Sequence, residues 1–364
     1  MMSVDADAGA VLSGWPADDM MRATSPGASM KRLFLTATLT CVTAVAVAGT
    51  LQSAGSTGVG QVFLPNPVAS LQDQTLTDQK DADYPALQAA YRIVTLTNLD
   101  GSGYLRGDWA NIVSETGAPA FSASNTFIYT RTEDQFEQVM AYYWVTEAQK
   151  YIQGLGFGTG RFRPVNYESQ DVRINQWGVD NSFSWSKKDL LRFGKGGVDD
   201  AEDAEVILHE YGHAIQDSQQ TPFGFGFSVE AGSIGEGFAD YWAVTVSDVV
   251  APTADPACVA DWDSVSYTSA VPHCLRRVDS DLHYPADLTG RVHHDGMIWS
   301  RALWDIRNAL GHETADTIIL EAHFGMRDPT MPELAANTVA TASRLYGAAA
   351  AKKVRQAFVA RGIL

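Results

Sequence analysis

Hydrophobic and polar positions change their period near the middle of this chain. In residues 91–96, Tyr-Arg-Ile-Val-Thr-Leu, apolar and β-branched side chains alternate with polar ones, the two-residue period of a half-buried strand. Asp100-Gly101-Ser102-Gly103 then supplies a turn before Tyr104-Leu105-Arg106, which predicts a hairpin. An EF-hand is not expected there, because Leu105 stands where that loop needs glycine and no glutamate follows at its twelfth position. Residues 127–130 read as another strand. Over 134–153 the period lengthens: Phe136, Val139, Met140, Tyr143, Trp144, Ala148, Tyr151 and Ile152 recur at helical spacing, an aromatic stripe suited to core packing. Short strands are predicted at 162–165, 172–175 and 182–184, between the glycine-rich breaks at 154–160 and 194–197. From Gly235 onward the pattern is helical, with apolar spacing of 3.6 over 235–249, 296–310, 314–324, 332–346 and 348–360. A β-rich first half and a helical second half predict an α+β chain of two lobes around a cleft. Residues 85–217 would form the first lobe and 218–364 the second. The polar stretch 49–84 reads as a mature N-terminal segment wrapping the surface.

Composition narrows the possibilities. A formal charge of −17 argues against a nucleic-acid partner, which wants a basic face. Lys31 and Arg32 followed by the apolar stretch 33–48, ending in Ala46-Val47-Ala48, resemble a secretory signal over residues 30–48. Residues 1–29, with four Asp, make a poor charged start. They read as a leader extension or as a misassigned start, with Met30 the true initiator. The expected location is extracellular, with no stable membrane association unless the signal stays uncleaved. Cys41 falls inside the apolar stretch, so two cysteines remain after it, Cys258 and Cys274, an even pair that predicts one disulfide in an exported protein.

Chemistry concentrates at His209-Glu210-Tyr211-Gly212-His213. Two histidines four apart on a helix stand about 40° apart around the axis and about 6 Å apart along it, so both imidazoles can reach one ion. Glu236 follows 23 residues after His213, inside Gly-Glu-Gly-Phe-Ala-Asp, and can supply a third ligand. Two histidines and one glutamate leave the fourth position of zinc for water, the catalytic rather than the structural arrangement. Glu210 would then stand beside the metal as general base, and Asp240, one turn after Glu236, would accept the N–H of a ligating imidazole. His293-His294-Asp295-Gly296 precedes a helix and can supply a donor to a developing oxyanion, though spacing alone does not choose between the two histidines. The acids at 199–203 fit the start of a helix, and Asp203 and Glu205 are also candidates for calcium.

These motifs resemble those of the thermolysin-like gluzincins, and most closely the fungalysin branch, whose His-Glu-Tyr-Gly-His and Gly-Glu-Gly-Phe-Ala-Asp segments stand here at 209–213 and 235–240. The similarity spans roughly residues 85 to 364. It implies a two-lobed thermolysin-like fold with the active-site helix between the lobes. The implied activity is that of a secreted zinc metalloendopeptidase acting on proteins or peptides, with bound calcium in some members. It favours His293 over His294 as the transition-state histidine. It makes Asn181 and Ser182 substrate-contacting residues of an edge strand, Arg277 the counterpart of the arginine on the substrate carbonyl, and Asp287 that of the acid orienting the histidine. A hydrophobic residue after the scissile bond is expected on the same ground. Two features depart from the pattern. Phe227 stands near the place of a tyrosine that holds the oxyanion, and only some 35 residues separate the leader from the first expected strand. Two other readings stay open: a weakly catalytic or non-catalytic metal-binding relative that binds peptides, and an aminopeptidase with an acidic anchor such as Glu230.

Overall fold

The computed structural model describes residues 55–113, 117–219 and 228–364, which belong to one compact unit. The expected leader and signal, residues 1–48, lie outside the described residues. Strand β1 (Ser56–Phe63) is followed by the short helix α1 (Pro67–Leu71), β2 (Tyr91–Leu99), β3 (Ala110–Ile112), β4 (Thr126–Phe127) and the long helix α2 (Asp134–Gly154). Then come β5 (Gln170–Arg173), β6 (Phe183–Trp185), β7 (Leu190–Arg192) and helix α3 (Ala204–Ser218). The remainder is mainly helical: α4 (Val229–Val250), a two-residue ribbon of β8 (Cys258–Val259) and β9 (Arg276–Arg277), then α5 (Val292–Leu310), α6 (His312–His323) and α7 (Met331–Ala360). The chain is thus α+β, with its sheets in the first part and helices in the second. Gly347, at φ 81°, breaks α7 where a left-handed residue cannot continue a helix, which yields the two helical stretches read from the sequence.

One sheet has the order β2-β1-β4 and the other β3-β5-β7-β6. β6 runs antiparallel to β7 at the edge of the second sheet, beside α3. The alternation in 91–96 becomes β2, but its partner β1 lies in the stretch read as a surface wrap. That expectation is corrected: Val62 and Phe63 are fully buried. Gly60 of β1 carries no Cβ because one would stand 2.8 Å from Val139 of α2, so the packing that needs the strand also removes its apolar signal. The expected strand at 162–165 does not form; Phe162 makes only a single bridge to Phe157.

Helix α2, with Phe136, Val139, Met140 and Trp144 fully buried, packs on β1 and α3 and forms the floor under the second sheet. Three helices then cross closely. A Cβ on Gly212 of α3 would meet the Ala239 backbone of α4 at 2.9 Å, and one on Gly237 of α4 would meet the Gly296 carbonyl oxygen of α5 at 2.3 Å. Bare backbone at both crossings lets α3, α4 and α5 approach, and each crossing lies next to a chemically active side chain.

Candidate metal centre

Helix α3 begins at Asp203, whose carboxylate accepts from Glu205 N at 2.9 Å and caps the first turn. One turn further its buried side presents His209 and His213, with their rings 5.0 Å apart. The close α3–α4 crossing brings Glu236 against both: His209 Nε2 lies 3.3 Å from Glu236 Oε2, and His213 Nε2 lies 3.7 Å from Oε1. Ligands about 2.0–2.1 Å from a tetrahedral zinc are separated by about 3.3 Å, so the three donors fit one ion. Glu236 is 1% exposed and its Oε2 accepts no hydrogen bond, a cost in free energy that a cation would remove.

The electrostatics agree with that fit. Burial disfavours charge on His209, but the carboxylates of Asp240 and Glu236 beside it outweigh that and raise its pKa to about 10. Burial lowers His213 to about 4, with Glu236 offsetting it only in part. Burial would raise Glu236, yet the three neighbouring histidines hold it near 2. The Glu236 carboxylate therefore stays ionised beside the two imidazoles.

Behind His209, Nδ1 stands 2.9 Å from Asp240 Oδ1, one helical turn beyond Glu236. Asp240 also receives Arg276 in a two-pronged pair, Nε to Oδ2 at 2.7 Å and Nη2 to Oδ1 at 2.8 Å. Glu210 points into the same cleft. Burial raises its carboxyl to about 7, partly offset by His209 and by the backbone N–H of Ser184 in β6, and its Oε2 has no hydrogen-bond partner. The α4–α5 crossing places half-exposed His293 Nε2 at 3.3 Å from Glu236 Oε2. His294 turns away, its Nδ1 lying 3.2 Å from Asp295 Oδ1. The cleft, about 110 Å³ in volume, gathers Asn181, Ser182, His209, Glu210, Arg276 and His293.

Two residues are not brought to the cleft. Arg277 pairs with Asp255 and Asp279 instead, and its neighbour Arg276 takes the inward place. On ribbon β8–β9 consecutive side chains face opposite ways, Arg276 opposing Val259 and Arg277 opposing Cys258, and the pattern of the loop carried no register that could tell them apart. Asp287 accepts from His283 N at 2.7 Å and lies by that ring rather than by His293. Asp203 and Glu205 do not present an open cradle for calcium. Asp203 accepts from Asn66, Trp262 N and Asp263 N, and Glu205 from Ser247 Oγ and Ala260 N. Cys258 and Cys274 form the expected disulfide. Phe227 lies outside the described residues.

The chain is similar to known metalloproteinases. An extracellular metalloproteinase, MEP, of Leptosphaeria maculans is 27% identical over 167 residues, 44% of this chain and 24% of that protein, so the chain matches about a quarter of that relative's length. The precursor of protealysin, a metalloproteinase from Serratia proteamaculans, superposes with a TM-score of 0.49 at 19% identity, covering 62% of this chain and 78% of that one. The family model of the fungalysin metallopeptidases (M36) matches residues 100–362, and the chain belongs to that family.

Proposed function

We propose that this protein is a secreted, zinc-dependent metalloendopeptidase, with His209, His213 and Glu236 as the metal ligands. The observation that carries the reading is the convergence of those three donors beside a cleft lined by His209, Glu210 and His293. Zinc bound there supplies Lewis acidity to water and to the scissile carbonyl. Glu210 accepts the proton of the attacking water at Oε2 and delivers it to the leaving amine nitrogen. His293 Nε2 donates to the oxygen on which negative charge develops. Arg276, fixed by Asp240, takes the role that the family resemblance suggested for Arg277 and donates to a substrate carbonyl. Asn181 and Ser182, at the start of edge strand β6, offer backbone groups to an extended peptide. The sheet-bearing residues 85–217 and the helical residues 218–364 supply the opposite walls.

A peptide-binding role without catalysis gains no support, because binding alone has no use for a buried Glu210 with one oxygen left without a hydrogen bond. The aminopeptidase reading weakens for a different reason. Glu230 Oε1 accepts Met331 N at 2.6 Å, so that carboxylate is engaged at the start of α7 rather than poised for a substrate amine. Cleavage of matched N-acetylated and free-amine peptides separates the cases. Equal cleavage of both supports an endopeptidase; cleavage confined to free amines contradicts it. Among the described residues no helix is long and apolar enough to cross a membrane. Export predicts a mature protein in the medium beginning near Gly49, and a cell-bound product that keeps residues 30–48 would count against it.

A further inference from the structure

The cleft holds a second set of groups that the peptide-hydrolysis machinery does not use. Asp200 and Asp263 line it beyond Glu210, and Asp180 stands behind them; one carboxylate oxygen from each of the three lies within 4.8 Å of the others. Asp200 is 2% exposed and Asp263 3%, and Oδ1 of each accepts no hydrogen bond. Protein donors reach only part of the trio: Ser182 Oγ and Gly194 N donate to Asp200 Oδ2, and the Tyr267 hydroxyl donates to Asp180 Oδ1. Arg276, whose charge Asp263 feels, is committed to Asp240. Burial first, then the neighbouring carboxylates, drives Asp263 well above the usual carboxylate range. Three acids packed this way, away from water, remain poorly compensated until a cation joins them.

Val206, Val259 and Leu275 line the same cleft as Asp200 and Asp263. A cleft that combines apolar side chains with buried carboxylates whose Oδ1 atoms accept no hydrogen bond suits a methylene stem that carries a positive charge at its tip. We infer that this recess is a specificity pocket for the side chain of lysine or arginine at a residue adjoining the scissile bond. The inference rests on the peptidase reading above and replaces the hydrophobic preference that family resemblance suggested. The residues responsible are Asp200 and Asp263, which meet the charged tip, with Asp180 supporting them. The overall charge of −17 adds long-range attraction for basic substrates.

The test uses full-length, zinc-loaded wild-type protein and N-blocked, internally quenched peptides. Lys, Arg, Leu, Phe or Glu occupies in turn each residue flanking the scissile bond. The expected result is a kcat/KM for Lys or Arg at one of those positions at least about tenfold above that for Leu, with Glu the poorest. A preference for Leu or Phe would overturn the pocket assignment and leave the peptidase reading standing. No cleavage of any member would remove both. The variant Asp263→Asn is expected to lower the Lys-to-Leu ratio of kcat/KM about tenfold or more; an equal loss on both substrates would mark Asp263 as structural and contradict the inference. Mass spectrometry under native conditions supplies an independent arm. An equivalent of calcium that survives dialysis in wild type and is absent from Asp263→Asn would show the trio to be a resident cation site instead.

Discussion

Asp240 Oδ1 lies 2.9 Å from His209 Nδ1 while the same carboxylate grips Arg276 through two hydrogen bonds. One acid thus holds both a ring of the proposed metal centre and an arginine that lines the cleft. A carboxylate behind a ligating histidine fixes its tautomer and raises its basicity. Asp240→Asn is expected to weaken zinc affinity about 10–100-fold, measured by competition with a chelator of known affinity. An unchanged affinity would mean that His209 is held by packing alone.

The neighbouring arginines make a paired control. Arg276→Ala is expected to lower kcat/KM by about tenfold or more, because it removes a donor to the substrate carbonyl and leaves Asp240 half-partnered. Arg277 is tied to the partly exposed Asp255 and Asp279. Arg277→Ala should therefore leave kcat/KM nearly unchanged and alter stability by no more than about 1 kcal/mol. The reverse pattern would return the inward role to Arg277.

Much of this site was legible in the pattern of residues, and what escaped did so for physical reasons. His209, Glu210 and His213 are related by a single helical turn, so their mutual geometry is local. Glu236 and Asp240 share another turn, but nothing local says which way α4 faces α3. That is decided by the crossing at Gly212 and Ala239. The choice between His293 and His294 depends on rotation about the first turn of α5, set by the Gly237–Gly296 crossing. Which of Arg276 and Arg277 lines the cleft was not legible, because a two-residue strand has too little alternation to reveal its register. The recess of Asp200 and Asp263 was invisible for a further reason: acids before a helix are adequately explained by capping, and Asp263 is 63 residues away along the chain.

The disulfide Cys258–Cys274 spans 16 residues and anchors the ribbon that carries Arg276. Loop-closure entropy predicts a loss of about 3 kcal/mol in Cys258→Ser/Cys274→Ser, seen as a lower urea midpoint. Because β9 is then less constrained, kcat/KM should fall as well. Retention of both stability and activity would show that the ribbon holds its place through Val259 and Ala260 alone.

Stability should also depend on the buried pair Glu137 and Asp199. Burial, followed by the charges of Glu202 and Asp81, raises Asp199 to about 8, and Glu137 shares a hydrogen bond with it. The folded protein therefore keeps a proton that the unfolded chain releases near pH 4. Folding binds more protons than unfolding between about pH 4 and 8, so stability falls as pH rises through that window and levels off above it. Asp199→Asn is expected to flatten this fall, measured by thermal melts from pH 5 to 9. Parallel curves for the two proteins would contradict the assignment.

The central claim is that Glu210 moves the proton while His209, His213 and Glu236 hold the metal. The direct measurement compares wild type with Glu210→Gln, reading zinc content by mass spectrometry and cleavage of an N-blocked quenched peptide. One equivalent of zinc is expected in both proteins, with cleavage reduced by at least about a hundredfold in the variant. Cleavage by Glu210→Gln at a rate close to that of wild type would contradict it.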